Sequence, residues 1–379
     1  MKKEVSSFFI YYGIINIGGS MKKILITCLD LHYNKINNAM LEFINCIDLT
    51  KNEVDLIAME TGELLLQLDK RINVTYYRDY MLMPSKFLYN LKKKYIVDDL
   101  YNQQRFAFKK EYDIAISYYG HNNYVDMISA SVKAKKKIIW VHNTIGEVSN
   151  YYRKKLIKKY KYFDNIVFTT KNNMNIFNNA LPCYKDKTIC INNVIDGNKV
   201  INSSKENTTI KLSQDYNIIN ISNLNKENNI DKLIDIQKYL FSKGKNVKIY
   251  VIGDGSLSYE IAEKMRKNNL TDSFIMLGMQ KNPYNILKQA NLYIDVSSSD
   301  KFNITLLESV VLDVPFIANE TVVNKEILSI IPKNGGKVCN IENMGNEIIK
   351  QMKTYQDHIP FDYKKYEDDI IEKINKLLK

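Results

Sequence analysis

The chain reads as an α/β protein built on parallel sheets, on three observations. Short β-branched runs alternate with helical patterns, the order that lays strands side by side in one direction with helices over both faces. The runs from Lys248 to Pro315 end on Gly- and Ser-rich turns, Gly253-Asp254-Gly255, Gly278 and Ser297-Ser298-Ser299. Ligands of parallel sheets sit at those carboxyl ends. Two carboxylates, Asp300 and Glu308, then flank the start of a helical pattern at the same edge. A length of 379 residues gives room for two or three domains of roughly 100–200 residues each.

Taken in order, residues 1–20 carry the apolar stretch FFIYYGIINIGG after two lysines, which resembles a short signal-peptide core. Met21-Lys22-Lys23 and the apolar run after it are how a cytosolic α/β domain opens, so residues 1–20 are read as an extension upstream of the true start. No other apolar run approaches the ~20 residues of a spanning helix. Lys23–Leu29 is a first strand and Asn37–Ile47 the helix after it. Glu53–Met59 and Ile72–Tyr77 are further strands, and Asp113–Ser117, Lys137–Val141 and Asn165–Thr169 complete the sheet of a first domain, 21–196. His142 follows directly on one of these strands. A histidine at a strand's carboxyl end stands where ligands bind, and it is also a common structural residue there.

Residues 197–215, rich in Asn, Ser, Lys and Thr, read as a linker. A second domain, 216–355, begins with strand Asn217–Ile221 and helix Ile230–Lys243. Strands Lys248–Ile252, Ser273–Leu277, Leu292–Val296 and Phe316–Ala318 follow, then helix Asn324–Leu328 and a turn at Gly335-Gly336. The last segment, 356–379, holds an amphipathic helix around Tyr366–Leu378.

A net charge of +12 favours anionic partners. Two stretches concentrate it beside tyrosines, Tyr76–Tyr95 and Tyr151–Lys161. Each fits either a helix with core-facing aromatics and a solvated lysine face or a patch on an anionic membrane surface. No nucleic-acid fold signature accompanies them, so nucleic acid is not an expected partner. The five cysteines lack a CxxC pattern and fit a reducing compartment, the cytoplasm. The four histidines form no metal spacing, and no metal site is expected.

Together these residues resemble the retaining GT-B glycosyltransferases of family 4, the group with many capsule and lipopolysaccharide enzymes. The resemblance rests on Gly253-Asp254-Gly255, on Gly278-Met279-Gln280-Lys281-Asn282-Pro283-Tyr284, on Ser297-Ser298-Ser299 and on Asp300-x7-Glu308 with Phe302 between. Ile138-Ile139-Trp140-Val141-His142-Asn143 and Ile191-Asn192-Asn193-Val194-Ile195-Asp196 match in the first half. It implies two Rossmann-like domains facing across a central cleft, acceptor side first, with the last helix packing back on the first domain. It implies transfer of a sugar from a nucleotide-diphosphate sugar, UDP-linked, to a glycan or lipid-linked acceptor, without metal or other cofactor; the two basic stretches would place the chain at the inner face of a membrane.

By the same resemblance, His142 and Asp300 lie at the transferred sugar and Glu308 at the donor ribose. Gly253, Gly255, Gln280, Asn282, Ser298, Lys301, Phe302, Asn303, Ile304 and Thr305 line the donor. The family's diphosphate-binding Arg and Lys correspond to Asn223 and Asn228, which donate hydrogen bonds but carry no charge. Lys226, Lys232 or Lys301 are the substitutes nearest in sequence. Family members often have Gly-Gly where this chain has Lys35-Ile36-Asn37-Asn38, a stretch that also reads as an ordinary strand-to-helix loop. Thr305-Leu306-Leu307-Glu308 also has the form of a helix capping box, with ribose contact the preferred reading of Glu308. A second reading of the whole is a non-catalytic GT-B subunit that binds glycan or polypeptide beside an active glycosyltransferase partner, or as a homodimer.

Overall fold

The computed structural model describes residues 21–77, 101, 109–120, 122–142, 145, 149–354 and 359–379. They form two parallel sheets. The first joins β1 (Lys22–Cys28), β2 (Asn52–Ala58), β3 (Asn73–Tyr76), β4 (Tyr112–Ser117), β5 (Ala134–Val141), β6 (Asn165–Phe168) and β7 (Thr188–Cys190) in the order β3-β2-β1-β4-β5-β6-β7. The second joins β8 (Tyr216–Ile221), β9 (Val247–Ile252), β10 (Phe274–Gly278), β11 (Leu292–Asp295), β12 (Phe316–Asn319) and β13 (Gly336–Cys339) in the order β10-β9-β8-β11-β12-β13.

The helices are α1 (Lys35–Asn45), α2 (Asn123–Ser131), α3 (Asn150–Tyr160), α4 (Lys171–Ala180), α5 (Gly197–Ser204) and α6 (Asp231–Ser242). Then come α7 (Ser258–Lys267), α8 (Tyr284–Leu287), α9 (Ile304–Val311), α10 (Val322–Leu328), α11 (Met344–Gln351) and α12 (Tyr363–Leu377).

A parallel strand is covered on both faces, so successive side chains are all buried. Ile24, Leu25 and Ile26 in β1 are fully inaccessible. Helix starts are set by capping side chains. Asn34 accepts from the N–H groups of Ile36 and Asn37 at α1, and Thr170 and Asp362 cap α4 and α12.

Strand order reverses once in each sheet, between β1 and β4 and between β8 and β11. The connections on either side of such a point leave toward opposite edges of the sheet. The loops beyond it therefore diverge and open a crevice at the carboxyl ends of the strands. One apolar cluster links the two halves, from Ile24, Phe43 and Trp140 through Ile195 and Val200 to Leu306 and Phe316.

Of the segment 197–215 read as a linker, Gly197–Ser204 forms α5 and the rest runs to β8 without a helix or strand. Asp196 caps α5 by accepting from the Lys199 N–H, and a Cβ on Gly197 would lie 2.2 Å from the Tyr363 ring, so α5 and α12 are in close contact there. Tyr366, in the first turn of α12, donates to the Asn193 carbonyl at 2.9 Å, and at the far end Lys22 Nζ donates to the Leu378 carbonyl at 2.7 Å. The edge strands β7 and β13 were not expected from the sequence. Each is short and only half-buried, so it lacks the continuous apolar run of an inner strand.

Candidate functional site

The crevice of the second sheet is built by the loops after β8 and β11. Strand β11 ends in Asp295, 3% exposed. Its carboxylate accepts from Ser297 Oγ at 3.0 Å and Asn324 Nδ2 at 3.2 Å, which fixes the serine turn. Ser298 then joins the two loops, donating from N and Oγ to the Glu227 carbonyl at 3.1 and 3.3 Å. Phe302 is buried in the core, and α9 starts at Ile304 with Asn303 as a buried N-cap that makes no side-chain cap bond.

Glu308 stands one turn further along α9. Because the helix starts at Ile304, Thr305 lies inside it, and the Thr305–Glu308 capping box does not form. Tyr284, opening α8, instead donates its hydroxyl to Glu308 Oε1 at 2.8 Å. Burial raises the Glu308 pKa above the ordinary glutamate range, opposed by hydrogen bonds from Tyr284 and Thr305 and by the charge of Lys35. The Tyr284 hydroxyl is pushed far up by its own burial and by the Glu308 charge.

The first domain meets this edge at three places. Asn173, in the first turn of α4, donates to the Asp300 carbonyl at 3.1 Å. The N–H groups of Lys171 and Asn172 donate to the Glu326 carboxylate of α10 at 3.0 and 2.6 Å, where helix dipole and orphan donors both favour an anion. Lys35, opening α1 at the other crevice, reaches Asn303 Oδ1 with Nζ at 3.5 Å. Its side chain touches water yet is enclosed by both domains. That enclosure lowers its pKa, opposed by the charges of Asp295 and Glu308 and reinforced by Lys301.

His142 follows β5 and is buried, with Nε2 3.0 Å from the Tyr118 carbonyl oxygen. A carbonyl only accepts, so Nε2 carries a hydrogen there. Tyr118 and Trp140 stack at 5.2 Å, and the Tyr118 and His142 rings are 4.9 Å apart, so an aromatic group holds the imidazole.

The remaining expected residues take these positions. Gly253 has φ 141°, and a Cβ there would lie 1.9 Å from Ser222 O; one on Gly255 would lie 2.4 Å from Leu224 O. Both glycines therefore let the loops after β8 and β9 touch backbone to backbone. Gln280 donates to the Leu277 carbonyl at 2.6 Å. Asn282 donates to Ser203 O and Glu206 Oε2, both at 2.8 Å, and so holds the segment after α5. Asn223 is exposed, and the Asn228 amide donates to the Asn223 carbonyl at 2.6 Å. Lys301 pairs with Glu227 at 3.4 Å and Lys232 with Asp235 at 3.8 Å, while Lys226 shares a groove with Asp231 and Glu260.

Sequence reasoning placed Lys35 only in the counterpart of the family's Gly-Gly loop, with no role for its side chain, and it missed the Tyr284–Glu308 bond. The signal for Lys35 is a cation at the turn after β1, which acquires meaning only once β1 is known to border the strand-order reversal.

Of the two basic stretches, residues 78–95 lie outside the described residues. The other forms α3, with Arg153, Lys154, Lys155 and Lys158 exposed and Leu156 and Tyr160 buried. One lysine departs from the solvated face: Lys159, 4% exposed, pairs with the fully buried Asp126. Among the described residues, no group of three or more His, Cys, Asp or Glu could hold a metal, and no helix is long and apolar enough to cross a membrane.

Two facing parallel sheets with paired crevices recur in solved structures. HepE of Anabaena, in complex with UDP, superposes with a TM-score of 0.68 at 12% identity, covering 94% of this chain and 98% of that one. The fold is GT-B. A TarM variant of Staphylococcus aureus, in complex with fondaparinux, alpha-GlcNAc-glycerol and UDP, reaches a TM-score of 0.69 at 13% identity, covering 94% and 98%. Within the GT-B fold, residues 203–344 match the family described as Glycosyl transferases group 1. An uncharacterised glycosyltransferase of Methanocaldococcus jannaschii is 30% identical over 197 residues, 49% of this chain and 48% of the relative. The chain thus spans about half the length of that curated relative.

Proposed function

We propose that this protein is a retaining glycosyltransferase of family 4 type that moves a hexose from a UDP-sugar to a glycan or lipid-linked acceptor of a surface polysaccharide, without a metal. The carrying observation is Glu308, a half-buried carboxylate held by Tyr284 at the strand-order reversal of the second sheet, facing the first domain. An ionised acceptor in that place suits the vicinal diol of a ribose. The family match over residues 203–344 and the UDP held by HepE and TarM support the same reading.

In this reading the donor ribose lies on Glu308 and its diphosphate near the start of α9, around Asn303, Ile304 and Thr305. Ser298 and Lys301 line one side, with Phe302 buried behind them, and the loops of Asn223, Asn228, Gly253, Gly255, Gln280 and Asn282 the other. Asp300 and His142 lie toward the transferred sugar. The anomeric carbon–oxygen bond breaks with its electron pair passing to the diphosphate. The acceptor oxygen then bonds to the same face of that carbon and releases its proton to the departing UDP. The exposed cations of α3 hold the enzyme to the inner face of an anionic membrane.

Calorimetric titration with UDP, UDP-sugars and GDP-sugars tests the proposal, with and without Mg²⁺ or EDTA. Selective UDP-sugar binding indifferent to EDTA is the expected result, with product of unchanged anomeric configuration by NMR. A second reading, a non-catalytic GT-B subunit, draws on the uncharged Asn223 and Asn228. Absence of any nucleotide binding would select it.

A further inference from the structure

We propose that Lys35 of the first domain binds the donor's diphosphate, supplying from across the cleft the positive charge that Asn223 and Asn228 lack. This rests on the donor reading above and adds to it a residue and a direction. Lys35 opens α1 beside the strand-order reversal of the first sheet, and its Nζ spans to Asn303 Oδ1, 268 residues away, at the start of α9. The 3.5 Å contact is at the long limit of a hydrogen bond, so the ammonium is not committed to it.

The cations nearest in sequence to Asn223, Asn228 and Asp300 have acidic neighbours of their own. Lys301 leans on Glu227, Lys232 on Asp235, and Lys226 faces Asp231 and Glu260 beside α6 and α7. Among the described residues Lys35 makes no ion pair within 4.0 Å, although it feels the charges of Asp295 and Glu308. Of those two anions, Asp295 is bound by Ser297 and Asn324, and Glu308 by Tyr284. A cation that reaches water in the cleft, beside anions that already have partners, is poised to receive a further anion. A diphosphate there gains a charge-assisted bond from Lys35, and in turnover the ammonium stabilises the charge that develops on the leaving oxygen. Since Lys35 and Glu308 lie in different domains, one donor molecule ties the two together.

The test compares UDP with uridine, which keeps the ribose and lacks the phosphates, by calorimetry on wild type, Lys35→Met, Lys35→Arg and Glu308→Gln. Lys35 is exposed, so Met is tolerated, and equal melting temperatures verify it. Lys35→Met is expected to weaken UDP about 10–100-fold and leave uridine unchanged, Lys35→Arg to stay close to wild type, and Glu308→Gln to weaken both ligands. If wild type binds UDP and Lys35→Met binds it equally well, the Lys35 assignment is overturned while the donor reading stands. If wild type binds neither UDP nor uridine, the donor reading falls and takes this proposal with it.

Discussion

Tyr284 and Glu308 form one hydrogen-bonded unit, and its protonation decides what it can hold. A ribose hydroxyl donates best to the ionised carboxylate. Burial has raised the Glu308 pKa, so the acid form takes over at a pH above the ordinary glutamate range. Uridine affinity is therefore expected to fall on acidification through that raised value, while Glu308→Gln shows a flat profile; titration of uridine avoids the phosphates' own protons. For stability the sign is opposite. An acid whose pKa is higher folded than unfolded favours the fold below its unfolded value and loses that contribution as pH rises through the folded one. Glu308→Gln should cost about 1.5–3 kcal/mol of nucleotide binding and leave the melting temperature at or above that of wild type. Loss of the fold with intact binding would instead make Glu308 a structural residue. Glu308 was singled out in the sequence by the Asp300-x7-Glu308 spacing after a serine turn, with a capping box as the competing reading, which the helix start at Ile304 removes. Its bond to Tyr284 was not legible there, since that depends on how α8 and α9 lie together.

At the scale of elements, legibility followed burial. Inner strands declare themselves because both faces are covered, whereas β7 and β13 at the edges carry too few apolar residues to stand out. Helix α3 shows the limit of a charge run: Lys159 sits in the core because Asp126 and the Gly120 carbonyl, on elements far away in sequence, receive it. Asp126 also accepts from Ser117 Oγ at 2.6 Å and the Gly120 N–H at 3.1 Å, so the pair fixes the turn after β4 against which His142 rests. Lys159→Met strands a buried carboxylate and is expected to destabilise the protein by about 3–5 kcal/mol in urea unfolding. Lys159→Met with Asp126→Asn should recover part of that. Outward on the same helix, Lys154 and Lys155 are each worth about 1 kcal/mol at an anionic surface. Changing both to Glu should abolish salt-sensitive sedimentation with anionic vesicles. Wild-type binding that ignores salt would remove the membrane role of α3.

At the scale of the molecule, the alternation of strands and helices was enough to foresee two sheets, and the order of short motifs suggested the pairing of domains. The polar contacts across the cleft were out of reach, because Lys35–Asn303, Asn173–Asp300 and Lys171–Glu326 unite positions more than a hundred residues apart. The Glu326 contact has a kinetic consequence. A carboxylate seated on the first-turn N–H groups of α4 is a clasp whose strength belongs to the joined state alone. On the donor reading proposed above, UDP lies between the two lobes, so the clasp would enter the residence time of product. Glu326→Ala is expected to populate the parted form, weaken UDP by the fraction of joined molecules lost, and speed its dissociation in stopped-flow. Where release governs the cycle, the weaker binder turns over faster.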